Sequence, residues 1–295
     1  MKRISPKVRA ILLIIASAFC FACMNAFVRA AGDLPAPQKS FFRNLVALVV
    51  AFFMFLPDSK GFSLPKGSVV PLMLRSAFGT VGIICNYYAI DHLVLSDASM
   101  LNKMSPFFTI IFSWLLLRER LRPMQGLAVL TAFLGSILIV KPTLDFTDFK
   151  GSFAGLCGGI AAGAAYAMVR MLGQKGVPGK FIVLFFSGFS CLCMAPFLIF
   201  DFHPMTIWQL LALLGAGCAG AGGQFTITAA YCHAPAKEIS VYDYSQIIFA
   251  TLLGLVFFHE MPDGLSFVGY AVILIAAVGM FYYYNFYLKR KEADS

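Results

Sequence analysis

The chain has 295 residues, of which 60% are hydrophobic and 13% charged, whereas an ordinary soluble domain is about 25% charged. A mean hydropathy of +0.81 leaves more apolar surface than one water-exposed fold can hide, which excludes a soluble domain. The net charge of +9 sits in short basic clusters between apolar stretches, the pattern of membrane topology rather than of nucleic-acid binding.

Apolar runs of about 20 residues, long enough to cross a ~30 Å hydrocarbon core, recur from end to end. In chain order they cover 10–30, 38–56, 69–91, 96–117, 124–141, 152–171, 180–200, 207–231, 239–258 and 265–287. The sequence thus predicts an all-α integral membrane protein with ten transmembrane helices in one membrane domain, 1–295. Turn residues mark the connections: Pro35 and Pro37, Pro57 with Asp58, Pro123, Pro142, Pro178 with Gly179, Pro204, Pro235, and Pro262 to Gly264. Before the first span, Lys2, Arg3, Lys7 and Arg9 resemble the charged region of a signal peptide. The repeat described below gives that span a partner, so it is read as retained.

Lys and Arg alternate between the two sides of these spans. Sixteen fall on the side of the N-terminus and four (Arg29, Lys39, Lys141, Lys150) on the other, which predicts that both termini are cytoplasmic and the membrane is the cytoplasmic one. Arg43, Arg75 and Lys103 fall inside spans. The eight cysteines lie in apolar segments without metal-type spacing and read as small core residues.

The chain matches itself at an offset of 141 residues. Val28-Arg29 align with Val169-Arg170, Gly32 with Gly173, Gly79 and Gly82 with Gly220 and Gly223, His92 with His233, Ser99 with Ser240, Phe108 with Phe249 and Glu119 with Glu260. Two extra residues after Glu260 bring Gly126 against Gly269. Repeat 1 spans approximately 10–141 and repeat 2 approximately 151–287. Each holds five spans, an odd number, so the two halves enter the membrane with opposite orientation. Such inverted repeats place a site near the midplane, between the halves.

Particular residues go further. Phe42-Arg43-Asn44, Leu74-Arg75 with Gly79 and Tyr88-Ala89-Ile90, and the run from Asp97-Ala98 through Ser105-Pro106 to Leu117-Arg118-Glu119-Arg120 resemble the EamA-like branch of the drug/metabolite transporter superfamily. The resemblance covers nearly the whole chain and implies a ten-helix secondary transporter of a small polar metabolite, with a central cavity walled by both halves. Export is the direction it favours, with import or exchange of carboxylated or phosphorylated metabolites as the alternative. A channel and a non-transporting scaffold are the alternatives of another class. No enzyme motif of the H-E-x-x-H or G-x-S-x-G kind and no Walker A sequence occurs, so neither catalytic residues, nor a metal, nor a cofactor is expected.

An ionisable side chain at a helix centre costs at least ~2.5–3.5 kcal/mol, which makes embedded charges functional candidates. Arg75 and Lys103 lie about seven residues, or ~10 Å, inside their spans, and Arg43 about five. Arg75, Gly79, Gly82 and Asn86 share one helical face. The offset pairs Asn102 with Asp243 and Lys103 with Tyr244, and Tyr242 and Gln246 complete the polar cluster of the second repeat. The candidate substrate-binding set is therefore Arg43, Arg75, Asn86, Asn102, Lys103, Tyr242, Asp243, Tyr244 and Gln246. Asn25, Tyr87, Tyr166, Gln224 and Thr228 form a weaker set. Glu119 and Glu260, at opposite faces, are candidates for gating or for tying the repeat ends. Three embedded cations against Asp243 alone point to a ligand bearing a carboxylate or phosphate, an amino acid or an organic anion. The other expected partner is the lipid bilayer, with no nucleic acid; nothing in the sequence points to an oligomeric state.

Overall fold

The computed structural model describes residues 6–59, 62–92, 101–118, 123–140, 149–259 and 264–283, and the regular structure in them is helical throughout. Ten helices of 13 to 27 residues fall on the ten predicted spans. They are α1 (Pro6–Ala30), α2 (Ala36–Phe55), α3 (Val69–His92), α4 (Ser105–Leu117), α5 (Pro123–Val140), α6 (Phe149–Gln174), α7 (Gly179–Phe200), α8 (Ile207–His233), α9 (Ser245–Phe258) and α10 (Gly264–Tyr282). Seven segments are long and apolar enough to cross a membrane; α4, α5 and α10 contain shorter apolar stretches. In lipid every backbone polar group must be satisfied within the protein, which is why helices dominate.

Two spans differ from their sequence-based outline, and in the same way. Residues 101 and 102 are helical, Lys103 and Met104 form a turn, and α4 starts afresh at Ser105 with Pro106 in its first turn. Pro106 has no N–H to donate and disfavours helix in the residue before it, so it suits a helix start better than a helix interior. In the second repeat a short helical turn, Ala236–Ile239, runs into a 3-10 segment, Ser240–Tyr244, before α9 begins. Both fourth helices of the repeats are therefore discontinuous at matching depth.

The packing obeys the 141-residue relation. α3 lies along α6 and α8 along α1, the two most extensive contacts in the molecule, and the shift turns one pair into the other. α4 on α6 corresponds to α9 on α1, while α2 with α7 and α5 with α10 pair each helix with its own counterpart. The relation reaches single residues: Arg118 and His259, 141 apart, both end their helices in the left-handed conformation, at φ 52° and 56°. Non-glycine residues rarely adopt it. Two five-helix halves of opposite orientation result.

Small residues allow this close approach, as in other membrane helix pairs. A Cβ on Gly159 would stand 2.5 Å from the Leu101 carbonyl oxygen, and one on Gly163 2.5 Å from Phe108 Cβ, so these glycines seat α4 and the turn before it on α6. Gly223 and Gly215 do the same for α8 against Phe21 and Phe27 of α1. Large apolar side chains such as Ile199, Phe200, Trp208 and Ile275 face outward, toward lipid. The cysteines are free, as described residues go, but not all are core: Cys191 is buried, whereas Cys193 and Cys218 are exposed on the apolar surface, where a small apolar side chain is equally at home.

Polar contacts tie the halves together at both ends. At one end Gln38 donates to the His203 carbonyl (2.8 Å) and accepts from its N–H (3.0 Å), and Gln209 Nε2 donates to the Ala31 carbonyl (3.1 Å). At the other, Lys175 Nζ donates to the Gly67 carbonyl and Lys180 pairs with Asp58, each at 2.9 Å.

Candidate functional site

Between the halves lies a small cavity of about 70 Å³. Both repeats wall it. From the first come Phe21, Met24 and Asn25 of α1, Arg43 of α2, Arg75, Gly79, Gly82, Ile83, Asn86 and Tyr87 of α3, and Asn102, Lys103 and Ser105 at the α4 break. From the second come Ala162, Ala165 and Tyr166 of α6, Phe186 of α7, Gln224 of α8, Asp243 of the 3-10 segment and Gln246 of α9.

Four charged side chains sit here almost wholly out of solvent: Arg43 and Asp243 at 2% exposure, Arg75 at 1% and Lys103 at 3%. Each is held inside the protein. Lys103 Nζ donates to Gln246 Oε1 (2.6 Å) and, more loosely, to Asp243 Oδ2 (3.3 Å) and the Asp243 carbonyl (3.4 Å). The pair thus bridges the two helix breaks, one from each repeat. Asp243 Oδ1 is buried without a hydrogen-bond partner.

The two arginines are accommodated alike and bonded differently. Gly79 and Gly220 are repeat partners, and each leaves room for a guanidinium. A Cβ on Gly79 would collide with Arg75 Nη1 and come within 2.7 Å of Phe186; one on Gly220 would lie 2.7 Å from Arg43 Nε. Arg43 donates to Asn44 Oδ1 (2.7 Å) and weakly to the Gly220 carbonyl (3.4 Å). Asn44 is itself anchored by donating to the Ser40 carbonyl and to Ser190 Oγ, both at 2.9 Å. Arg75 stacks over the Phe186 ring, 4.1 Å from its centroid, a cation–π contact. Among the described residues no hydrogen-bond acceptor serves its guanidinium.

Of the predicted set, Arg43, Arg75, Asn86, Asn102, Lys103, Asp243 and Gln246 come together on the cavity wall, as do the weaker candidates Asn25, Tyr87, Tyr166 and Gln224. Tyr242 and Tyr244 are brought near but turned away into the hydrophobic core. The 3-10 segment, with three residues per turn, puts Asp243 and Gln246 on one side and its tyrosines on others. Thr228 accepts from Gln224 Nε2 (3.2 Å) and does not line the cavity. Glu119 and Glu260 lie outside the described residues. His92 and His233 stay at helix ends, each against the carbonyl four residues back.

Sequence reasoning missed the apolar part of the wall, Phe21, Met24 and Phe186. It also counted Lys39 only among the basic residues of the side opposite the N-terminus, whereas the side chain is buried and bonded to Asp91 at 2.6 Å. The acidic residue near the end of α3, a helix beside α2, was the available signal.

Comparison with known proteins bears on the family and the fold. The model of the EamA-like transporter family matches twice, at residues 8–141 and 150–282. The pseudopaline exporter CntI of Pseudomonas aeruginosa strain UCBPP-PA14 is 32% identical over 272 residues, covering 92% of this chain and 95% of that protein. Solute carrier family 35 member G1 of Homo sapiens is 27% identical, covering 89% and 76%. A solved crystal structure superimposes with a TM-score of 0.79 over 92% of this chain and 96% of that one; at 16% identity it speaks for the fold alone.

Proposed function

The chain belongs to the EamA-like transporter family, and from that membership we propose that it exports a small polar metabolite carrying an acidic group, by alternating access around the cavity between its repeats. It is a multi-pass membrane protein; in this reading it sits in the cytoplasmic membrane with both termini inside, as the distribution of Lys and Arg suggests. One relative, the pseudopaline exporter CntI, supports the direction.

One observation carries the substrate class: a cavity shared by both repeats holds Arg43, Arg75 and Lys103 against Asp243. Charges of one sign in a low-dielectric cavity attract ligands of the other. Binding then uses Arg75 as the free donor, Lys103 and Asn102 at the α4 break, and Asn86 and Gln246 as neutral hydrogen-bonding groups. The discontinuous helices supply the backbone polarity that transporters place beside their substrates. Glu119 and Glu260 are assigned to the repeat ends, where they act on gating rather than on binding.

The test is a ligand screen by thermal unfolding of the purified protein, since a ligand that binds only the folded state raises the midpoint. Stabilising compounds are expected among anionic and zwitterionic metabolites, with the effect lost in Lys103→Ala. Stabilisation by neutral or cationic solutes alone, or an effect that persists in Lys103→Ala, would refute the reading.

A further inference from the structure

We infer that the ligand of this cavity carries a net charge of about −2, that is, two acidic groups in excess of any amine. This rests on the substrate site proposed above and sharpens it. Lys103 and Asp243 balance each other at 3.3 Å, which leaves two positive charges, those of Arg43 and Arg75. Among the described residues lining the cavity no second carboxylate answers them. The tyrosines that share the cavity wall with the arginines, Tyr87 and Tyr166, are phenols that carry no charge at neutral pH. The acceptors bonded to Arg43, Asn44 Oδ1 and a carbonyl, are neutral as well.

Arginine does not shed its proton to escape such a site. The two guanidiniums line the same cavity, and like charges in a weakly screening interior repel. The repeat-related glycines Gly79 and Gly220 nevertheless leave the space each needs. A ligand with one negative charge leaves the cavity at +1; one with two makes it neutral. Arg75, which has no acceptor of its own among the described residues, makes the direct contact, and Arg43, partly engaged by Asn44, supplies the second charge.

The experiment is a charge ladder on the purified protein at matched ionic strength, read by thermal unfolding. Alanine (net 0), lactate and aspartate (−1), and malate and phosphoserine (−2) are the probes. Malate and phosphoserine are expected to stabilise at concentrations roughly tenfold or more below the singly charged acids, in line with the loss of one charged hydrogen bond. In Arg75→Gln the preference should move to lactate and aspartate, while Arg75→Lys keeps it on the dianions; Arg43→Gln repeats the measurement should Arg75→Gln fail to fold. Equal stabilisation by acids of either charge, or a ladder unchanged in both Gln variants, overturns the charge assignment. Loss of that equal stabilisation in Lys103→Ala would then leave the proposed anion site standing. Stabilisation by none of the acids overturns both.

Discussion

The two halves of the molecule share a backbone and divide the chemistry. Positions that set geometry are kept across the 141-residue offset: Gly79 and Gly220 beside a guanidinium, Arg118 and His259 as left-handed helix ends, and the breaks before α4 and α9. Positions that face the cavity have diverged. Lys103 corresponds to Tyr244, Asn102 to Asp243 and Asn25 to Tyr166, while Arg75 and Arg43 correspond to Ala216 and Leu184. Among the described residues the three cations that line the cavity thus come from the first repeat and its one carboxylate from the second. A duplicated fold supplies two movable halves; unequal side chains turn the space between them into a site with a preferred charge.

Breaking the charged half should have the largest effect. Arg75→Gln removes the free guanidinium and is expected to lower transport on the order of 100-fold, the upper range for one hydrogen bond to a charged group; Arg75→Lys should lose less. Uptake into inverted vesicles measures both. Next comes the link between the halves. Lys103→Met or Asp243→Leu alone leaves a buried charge without its partner and should cost about 3–5 kcal/mol, whereas the double variant recovers most of it. Unfolding midpoints of the three proteins check this, and a loss in the double variant equal to the sum of the two single losses would mean the side chains contribute nothing as a pair.

The shared geometry can be probed separately. Gly79→Ala forces Arg75 or Phe186 aside and should destabilise by roughly 1–3 kcal/mol, while Gly126→Ala, with open space around the added methyl, should gain up to about 1 kcal/mol from helix propensity. The smallest effect concerns the helix ends: His259→Gly relieves a left-handed residue and should stabilise by about 1 kcal/mol. Opposite signs for the Gly79 and Gly126 variants are the sharper readout.

Much of the fold was legible because a membrane simplifies the code. Length and hydropathy placed ten spans, and Arg, His and Glu pairs at one offset exposed the repeat. Arg75, Asn86 and Lys103 stood out because polar groups are scarce in such spans. Phe186 and Met24 did not, since an apolar side chain looks the same whether it faces lipid, core or cavity. The break at Lys103 was hidden inside a continuous apolar run, although Pro106 marked it. Tyr242 and Tyr244 were grouped with Asp243 by assuming one helical phase, which the 3-10 segment does not keep.

Counterflow in proteoliposomes tests the transport site most directly, with radiolabelled ligand outside and the same compound, chosen from the stability screen, loaded inside. Saturable exchange by the wild-type protein that is lost in Arg75→Gln and largely kept in Arg75→Lys is the expected result. Flux without trans-stimulation, or exchange indifferent to Arg75, would contradict a carrier built around this cavity.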